Sequence, residues 1–307
     1  MIFVSIAAYR DAELIRTLED GLAQCDRPHE LHVAVLDQGP APTPIAQSLK
    51  SSAGHFSYLH LHHHFSRGPS WARSVINSML RDEDYVLQLD SHMRFDRHWD
   101  SHLIEVLEQC AQQNPKAIVS TYPCGYSTID GNVQKRKMPG QALVLRPKPD
   151  AVFDDAHPIL PFYAVPTATP KPVMGFHVGA GCLFSRARLL VEVPTDPWIY
   201  FHGEEQNLAV RAWTHGWDIW HAPEMPIYHH YNTHFEHAVH WSEEDDTSRP
   251  LRWWELHRLA QERMRRLLYA QDDLGAYGLG STRSLQDYAR ASGIDYVQRK
   301  ICAPAAL

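Results

Sequence analysis

An α/β fold with a mainly parallel central sheet is predicted from two features of the first hundred residues. Apolar runs of strand length recur, and stripes of helical spacing sit between them across short connections. Ile2 to Ala8 is an apolar run that reads as the first strand. Leu14, Ile15, Leu18 and Leu22 follow at spacings near 3.6 and form one helix face. Leu31 to Leu36 and Phe56 to Leu61 read as the next two strands. Trp71, Val75, Ile76, Met79 and Leu80 mark a second helix, and Tyr85 to Leu89 the strand after it. Repeated β-α-β units of this kind are typical of nucleotide-binding domains.

The pattern is less regular further on. Ala117 to Thr121 is read as a strand, and the proline-rich stretch from Pro147 to Pro172 as a long ordered loop over the sheet. Gly179 to Phe184 reads as tight backbone leading into a buried strand. Glu204 to His215 is a helix with Leu208, Ala209, Ala212 and Trp213 inward and Gly216 as its stop, and Asp218 to Ala222 is a strand. An acidic loop, Glu243 to Asp246, precedes an amphipathic helix from Trp253 to Leu268. The expected division is a main domain over residues 1–240 and a helical extension over 241–307 packed on the same domain. The Trp253-Trp254 pair fits a dimer contact or a fold back onto the body equally well.

Composition narrows the function. The 29 basic and 36 acidic residues of the 307 give a net charge of −7, which disfavours tracking a nucleic-acid backbone. No apolar run approaches bilayer length, and the apolar N-terminus lacks the basic flank and cleavage site of a leader. The 5 cysteines (Cys25, Cys110, Cys124, Cys182 and Cys302) never fall as CxxC, so a reducing cytoplasm is the expected location. The 21 histidines invite a metal hypothesis that has to be weighed one residue at a time.

The sharpest local signal is Leu87-Gln88-Leu89-Asp90-Ser91-His92, an apolar strand that ends abruptly in Asp-Ser-His. Open α/β sheets place ligands at this carboxyl edge. Residues i and i+2 of an extended segment project to the same side, so Asp90 and His92 reach one ion together. A carboxylate with an imidazole suits Mn²⁺ or a similar divalent ion, with positions left open for diphosphate oxygens. On the tripeptide alone, a strand-end turn with a surface histidine accounts for the pattern equally well.

Asp90-Ser91-His92 resembles the Asp-x-His metal motif of GT-A glycosyltransferases such as the polypeptide N-acetylgalactosaminyltransferases, and further stretches agree in order. Phe3 to Arg10 resembles the opening strand and nucleotide-binding turn, and Arg67 to Arg73 the segment leading through a helix to the metal strand. Val178 to Phe184 resembles the small-residue strand beneath the sugar, His202-Gly203-Glu204-Glu205 the Gly-Glu helix opening, and Pro223 to His229 the segment with a third ligand. The phrases LQLDSHMRF, VGAGCLFSRARLL, YFHGEEQNLAVRAWTHGWDIWHAP and YGLGSTRSLQDYARASGID are similar to one GlcNAc-transferase family. That family includes the cytoplasmic enzyme that modifies hydroxyproline on a ubiquitin-ligase adaptor. The resemblance runs over residues 1–295. It implies a Rossmann-like GT-A catalytic domain over 1–240 with the helical extension behind it.

The resemblance implies Asp90, His92 and His229 as ligands of Mn²⁺ or Mg²⁺, with His230 as the alternative to His229. It places Glu204 or Glu205 near the sugar or the acceptor hydroxyl, Glu205 being favoured, although both carboxylates also suit the first turn of a helix. Tyr9, Arg10, Asp37, Arg67, Arg73, Ser91 and Gly181 are the expected contacts to the UDP-sugar. Trp198 and Tyr200 fit either stacking on a sugar or ordinary packing. His62, His63 and His64 are expected to touch no ligand, and His234, His237 and His240 to lie on the surface.

The implied activity is metal-dependent, retaining transfer of GlcNAc from UDP-GlcNAc to a hydroxyl of a protein, glycan or small molecule, with the metal stabilising the leaving diphosphate. A different UDP-sugar (GalNAc, Gal or Glc) is the nearest alternative, and a non-catalytic sugar-binding module a second. A metal-dependent hydrolase is disfavoured because no HExxH is present.

Overall fold

Strand β1 (Ile2–Tyr9) lies at the heart of the molecule, paired in parallel with β2 (Leu31–Gln38) on one side and β4 (Tyr85–Asp90) on the other. The computed structural model describes residues 1–231, 238–241 and 246–302. Outward from β2 lies β3 (His55–His60). Outward from β4 lie β12 (Cys182–Arg186), β6 (Ala117–Ser120), β13 (Asp218–His221) and β11 (Val173–Gly175), completing an eight-stranded sheet. Pairing is parallel except where β12 meets β4 and β6 and where β11 meets β13. This is the mixed α/β architecture that the alternating sequence pattern predicts.

Alternation along β1 explains why both faces are covered. Ile2, Val4 and Ile6 join a core with Leu14, Leu18 and Leu22 of α1 (Leu14–Gln24) and with Trp99, Leu103 and Leu107 of α4 (Trp99–Ala111). Phe3 faces the other way, against Ala72 and Ile76 of α3 (Pro69–Asn77). Helix α3 is shorter than its apolar stripe: Met79 and Leu80 reach the same core from the turn after its end. The short helices α2 (Gln47–Ser52) and α5 (Arg188–Glu192) cap the connections before β3 and after β12.

Several short strands escape the sequence pattern. β7 (Cys124–Ile129) and β8 (Asn132–Lys135) form a hairpin closed by Asp130 and Gly131, both at positive φ. An Asp-Gly pair is the usual mark of such a turn, but these strands are largely exposed and polar. The stretch from Pro147 to Pro172, read as a loop, contains β10 (Phe162–Ala168), which pairs antiparallel with β9 (Gln141–Pro147). Pro166 breaks the apparent period, and proline is tolerated because β10 has β9 as its one strand partner among the described residues and is an edge.

A smaller sheet in the order β5-β14-β7-β8 stands beside the main one, with β5 (Met93–Phe95) and β14 (Ile227–His229) antiparallel. The C-terminal helices α7 (Trp253–Leu268) and α8 (Leu285–Ser292) bury Met264, Leu267, Leu268, Leu285 and Tyr288 against Val210 and Trp213 of α6 (Glu204–Thr214). Fully buried Arg211 of α6 ties this region further by donating to the carbonyls of Pro194, Ala276 and Gly278. Trp253 approaches His257 on its own helix, whereas Trp254 is exposed. Of the acidic stretch Glu243 to Asp246, only Asp246 falls among the described residues, and it is buried with the Trp253 amide on its carboxylate. No helix among the described residues is long and apolar enough to cross a membrane.

One core histidine makes the fold acid-sensitive. His221 is fully buried, its Nδ1–H donating to the Ser120 carbonyl (2.7 Å) and its Nε2 accepting from the Leu145 amide (3.4 Å). A Cβ on Gly175 would lie 2.1 Å from that Nε2, so glycine is required for the approach. Burial pushes the His221 pKa down to about 4. The unfolded chain therefore takes up this proton at higher pH than the folded one, and stability is lost as pH falls from about 6.5 towards 4. Urea unfolding at pH 7 and pH 4.5 should differ by up to about 3 kcal/mol more in the wild type than in His221→Gln, which cannot titrate there. Equal pH dependence in the two proteins would refute the assignment.

Candidate functional site

Strand β4 delivers Asp90 to the carboxyl edge of the main sheet, and His92 follows in the turn before β5. His229 ends β14, whose register against β5 sets it opposite Met93, and the His230 amide bonds the His92 carbonyl at 3.0 Å. Side chains 139 residues apart in sequence are thereby joined: His229 Nε2 lies 3.2 Å from Asp90 Oδ2 and 3.0 Å from His92 Nε2. The three ligand atoms lie within 4.8 Å of one another. The His230 ring turns the other way, towards Tyr126 at a centroid distance of 5.2 Å.

The electrostatics fit a cation. Burial alone would raise the Asp90 pKa, but the hydrogen bond from His229 and the Arg73 charge hold it well below the carboxylate range. His229 is pushed down by burial, against the pull of Asp90 and with the added push of the neighbouring His92 and His230. His92 is drawn up despite burial because Asp11 bonds its Nδ1 at 2.6 Å. That contact favours the tautomer protonated at Nδ1, which turns the Nε2 lone pair towards His229 and Asp90, as the outer partners of ligating histidines commonly do. Two imidazole nitrogens and a carboxylate oxygen, clustered beside a cleft, are a donor set suited to Mn²⁺ or a similar ion.

Arg73 is buried to 2% exposure and bridges two elements, donating to Asp90 Oδ1 (2.8 Å) and to Glu204 Oε1 (2.5 Å). Glu204 is buried, and that burial raises its pKa against the opposing charge of Arg73. Its neighbour Glu205 faces the cleft, Oε1 accepting from the Ala180 amide at 2.8 Å and Oε2 from the Tyr122 hydroxyl. A cleft of about 550 Å³ holds Asp90, Glu204 and Glu205, walled by Tyr122, Phe162 and His177. Phe162 and His177 stack nearly parallel, with centroids 3.5 Å apart. Gly181 lies directly under Asp90: a Cβ there would come within 2.2 Å of Oδ2.

The remaining sequence candidates are spread along the same sheet edge. Asp37, at the end of β2, accepts from Tyr58 (2.5 Å) and the Thr43 amide (2.8 Å) through Oδ2, and Oδ1 takes no hydrogen bond among the described residues. The Tyr9 hydroxyl accepts from Arg249 at 2.6 Å, and its ring lies 5.1 Å from His240. Arg10 is exposed at positive φ, directly after β1. The Ser91 hydroxyl is engaged with Asp11 at 2.5 Å. Arg67 is not brought to the Asp90 cleft; it is exposed and lies over Trp71, in a groove with Trp198. Tyr200 is buried, its hydroxyl 2.7 Å from His240 Nδ1, whereas Trp198 is 60% exposed. His240, expected on the surface, is buried between Tyr200 and the Ser66 carbonyl, while His234 and His237 lie outside the described residues.

Sequence reasoning missed Asp11, Tyr122 and His177. Asp11 carried a usable signal, a carboxylate just past the Tyr9-Arg10 turn. Tyr122 and His177 carried none, because their places at Glu205 depend on long-range packing.

A family model described as Glycosyltransferase (GlcNAc) matches residues 1–53 and 51–298. No curated protein sequence is significantly similar. Among solved structures, GalNAc-T7 with UDP, GalNAc and Mn²⁺ superposes with a TM-score of 0.59 at 14% identity, covering 96% of this chain and 59% of that one. TarS 1–349 of S. aureus in complex with UDP gives 0.45 at 14% identity, covering 86% of this chain and 71% of that one. The chain thus spans less than two thirds of GalNAc-T7, and at such identity the likeness speaks for the fold, which is GT-A. With the family match running through nearly the whole sequence, the chain belongs to the glycosyltransferase (GlcNAc) family.

Proposed function

We propose that this glycosyltransferase moves GlcNAc from UDP-GlcNAc to an acceptor hydroxyl, depends on a divalent metal, and retains the anomeric configuration. The observation that carries the reading is the convergence of Asp90, His92 and His229 beside a cleft that Asp90 and Glu205 both line. The description of the family supports GlcNAc, and GalNAc-T7, solved with UDP, GalNAc and Mn²⁺, supports a nucleotide-sugar donor and a metal. A protein, glycan or small-molecule hydroxyl all suit an acceptor attacking from the open cleft. The scattered free cysteines suit a reducing compartment, so we extend the proposal to a cytoplasmic enzyme.

The residues divide the work by charge. Asp90, His92 and His229 would hold the metal, which when bound supplies positive charge against the leaving diphosphate. Asp11 orients His92, and Ser91 orients Asp11. Asp37 offers Oδ1 to the uridine end of the donor, beside Tyr9 and Arg10. Arg73 holds Asp90 and Glu204 in place and favours their charged forms, and Gly181 leaves room for the Asp90 carboxylate. Glu205 accepts two hydrogen bonds and keeps lone pairs for a hydroxyl of the sugar or acceptor.

Retention by double displacement requires two carboxyl groups flanking the glycosidic carbon. Glu204 is paired with Arg73 and does not fill that role beside Glu205. The reading is therefore front-face substitution. The C1–O bond to phosphate breaks as the acceptor oxygen bonds C1 on the same face, and the acceptor proton passes to the leaving phosphate. A product of β configuration would contradict this.

Release of UDP from a panel of UDP-sugars tests the assignment without knowing the acceptor. UDP-GlcNAc should be turned over with Mn²⁺, EDTA should abolish release, and Asp90→Asn should lower it about 100-fold or more. Release that is indifferent to EDTA would remove the metal from the mechanism, and turnover of another UDP-sugar alone would replace GlcNAc.

Glu205→Gln preserves shape and both local contacts, because the amide oxygen can accept from Ala180 while its NH₂ donates to Tyr122. It removes only the charge. Transfer should fall about 100-fold with UDP affinity unchanged, read by steady-state kinetics beside UDP titration. Wild-type turnover in this variant would exclude a role for the carboxylate charge.

A further inference from the structure

We propose that His62, His63 and His64 form a second metal site, for a borderline transition ion of the Zn²⁺ class, independent of the catalytic reading. The three residues follow β3 and span a tight turn at the carboxyl edge of the main sheet. Their ring centroids lie 4.4, 4.5 and 4.3 Å apart, and one ligand nitrogen from each lies within 4.8 Å of the others. Consecutive histidines in an extended strand would point alternately to opposite faces, which is why the sequence pattern argues against a shared ligand. The turn removes that obstacle.

The backbone fixes the arrangement. The Leu61 amide bonds the Asp37 carbonyl (2.9 Å) and the His63 amide bonds the Gly39 carbonyl (3.2 Å), anchoring the turn to the end of β2. Within the turn, Phe65 and Ser66 donate to the carbonyls of His62 and His63 at 2.9 and 3.1 Å. The polar contact at the His62 ring, from the His64 amide to Nδ1, is 3.4 Å long and is readily exchanged for an ion. His63 is buried while His62 and His64 are half-buried, so an ion has a floor and a path from solvent.

Donor chemistry separates this site from the first. A tetrahedral ion with Zn–N bonds of about 2.1 Å needs nitrogens roughly 3.4 Å apart, a contraction of at most about 1.4 Å from the present spread. Three imidazoles without a carboxylate suit Zn²⁺, Co²⁺ or Ni²⁺ and disfavour Mg²⁺ and Ca²⁺, and a fourth position remains for water. Three strand spacings separate β3 from β4, so the two sites stand about 14 Å apart. An ion here would stiffen the turn that carries Ser66, whose hydroxyl bonds Gln38 at 2.6 Å and whose carbonyl meets His240.

The test is Zn²⁺ and Co²⁺ titration of the full chain carrying Asp90→Asn, followed by calorimetry and, for Co²⁺, by visible absorption. One saturable equivalent is expected, with the absorption of four-coordinate Co²⁺ and a rise in melting temperature on loading. Adding His62→Gln and His64→Gln should abolish all three signals while leaving the metal-free melting temperature unchanged. The corresponding alanine pair guards against glutamine acting as a ligand. Retention of the equivalent in both pairs would overturn the proposal. So would an Asp90→Asn protein that binds only weakly and without saturation, as scattered surface histidines would.

Discussion

The buried guanidinium of Arg73 is the interaction on which the cleft depends. It couples the end of β4 to the start of α6 by donating to Asp90 and Glu204, with a third carboxylate, Glu205, next in the chain. Without a cation between them, these acids would repel one another in a poorly solvated space, and one would take up a proton. A lysine is no substitute, because only a planar fork reaches two carboxylates on different elements at once. Breaking a buried pair of this kind leaves an uncompensated charge at a cost of about 3–5 kcal/mol. The sheet edge and the helix therefore cannot shift independently, which fixes Asp90 relative to Glu205 across the cleft.

What was legible in the sequence was what local chemistry determines. An apolar strand breaking off at Asp90-Ser91-His92 announces both a sheet edge and a pair of donors, since each follows from residues adjacent in the chain. Glu204 and Glu205 were equally visible, but their division of labour was not. It depends on Arg73 capturing the first and on Ala180 and Tyr122 capturing the second. His229 and His230 could not be separated until the register of β14 on β5 turned one ring towards His92 and the other towards Tyr126. The β9–β10 pair was hidden for another reason: two-stranded sheets tolerate the prolines that a period-2 reading takes as breaks.

Glycine choice follows from the same crowding. Gly181 carries no side chain because the Asp90 carboxylate occupies the space a Cβ would fill, while the Asp90 amide bonds the Gly181 carbonyl. A small residue in β12 is thus a condition for placing a charged one at the end of β4. In the sequence the run Gly179-Ala180-Gly181 signals close packing, but not against what. The answer comes from the antiparallel register that sets Cys182 opposite Leu89.

The cleft is polarised, and this bears on selectivity. Asp90 on its lining gathers donors for a cation with His92 and His229, whereas the stacked pair of Phe162 and His177 and the side chains of Ile159 and Leu160 give it an apolar wall. A sugar ring has an apolar face and a rim of hydroxyls, so such a wall beside Glu205 suits it on both counts. His177 is 2% exposed and turns Nε2 towards Glu205 Oε2 at 3.5 Å, so it backs the carboxylate rather than the ligand space. Apolar walls discriminate weakly between similar sugars, because one extra or missing methylene is worth only about 1–3 kcal/mol. Buried polar groups discriminate strongly, because the wrong ligand leaves them unpaired. On the proposed reading, the choice among UDP-sugars therefore falls to Glu205 rather than to the aromatic wall beside it.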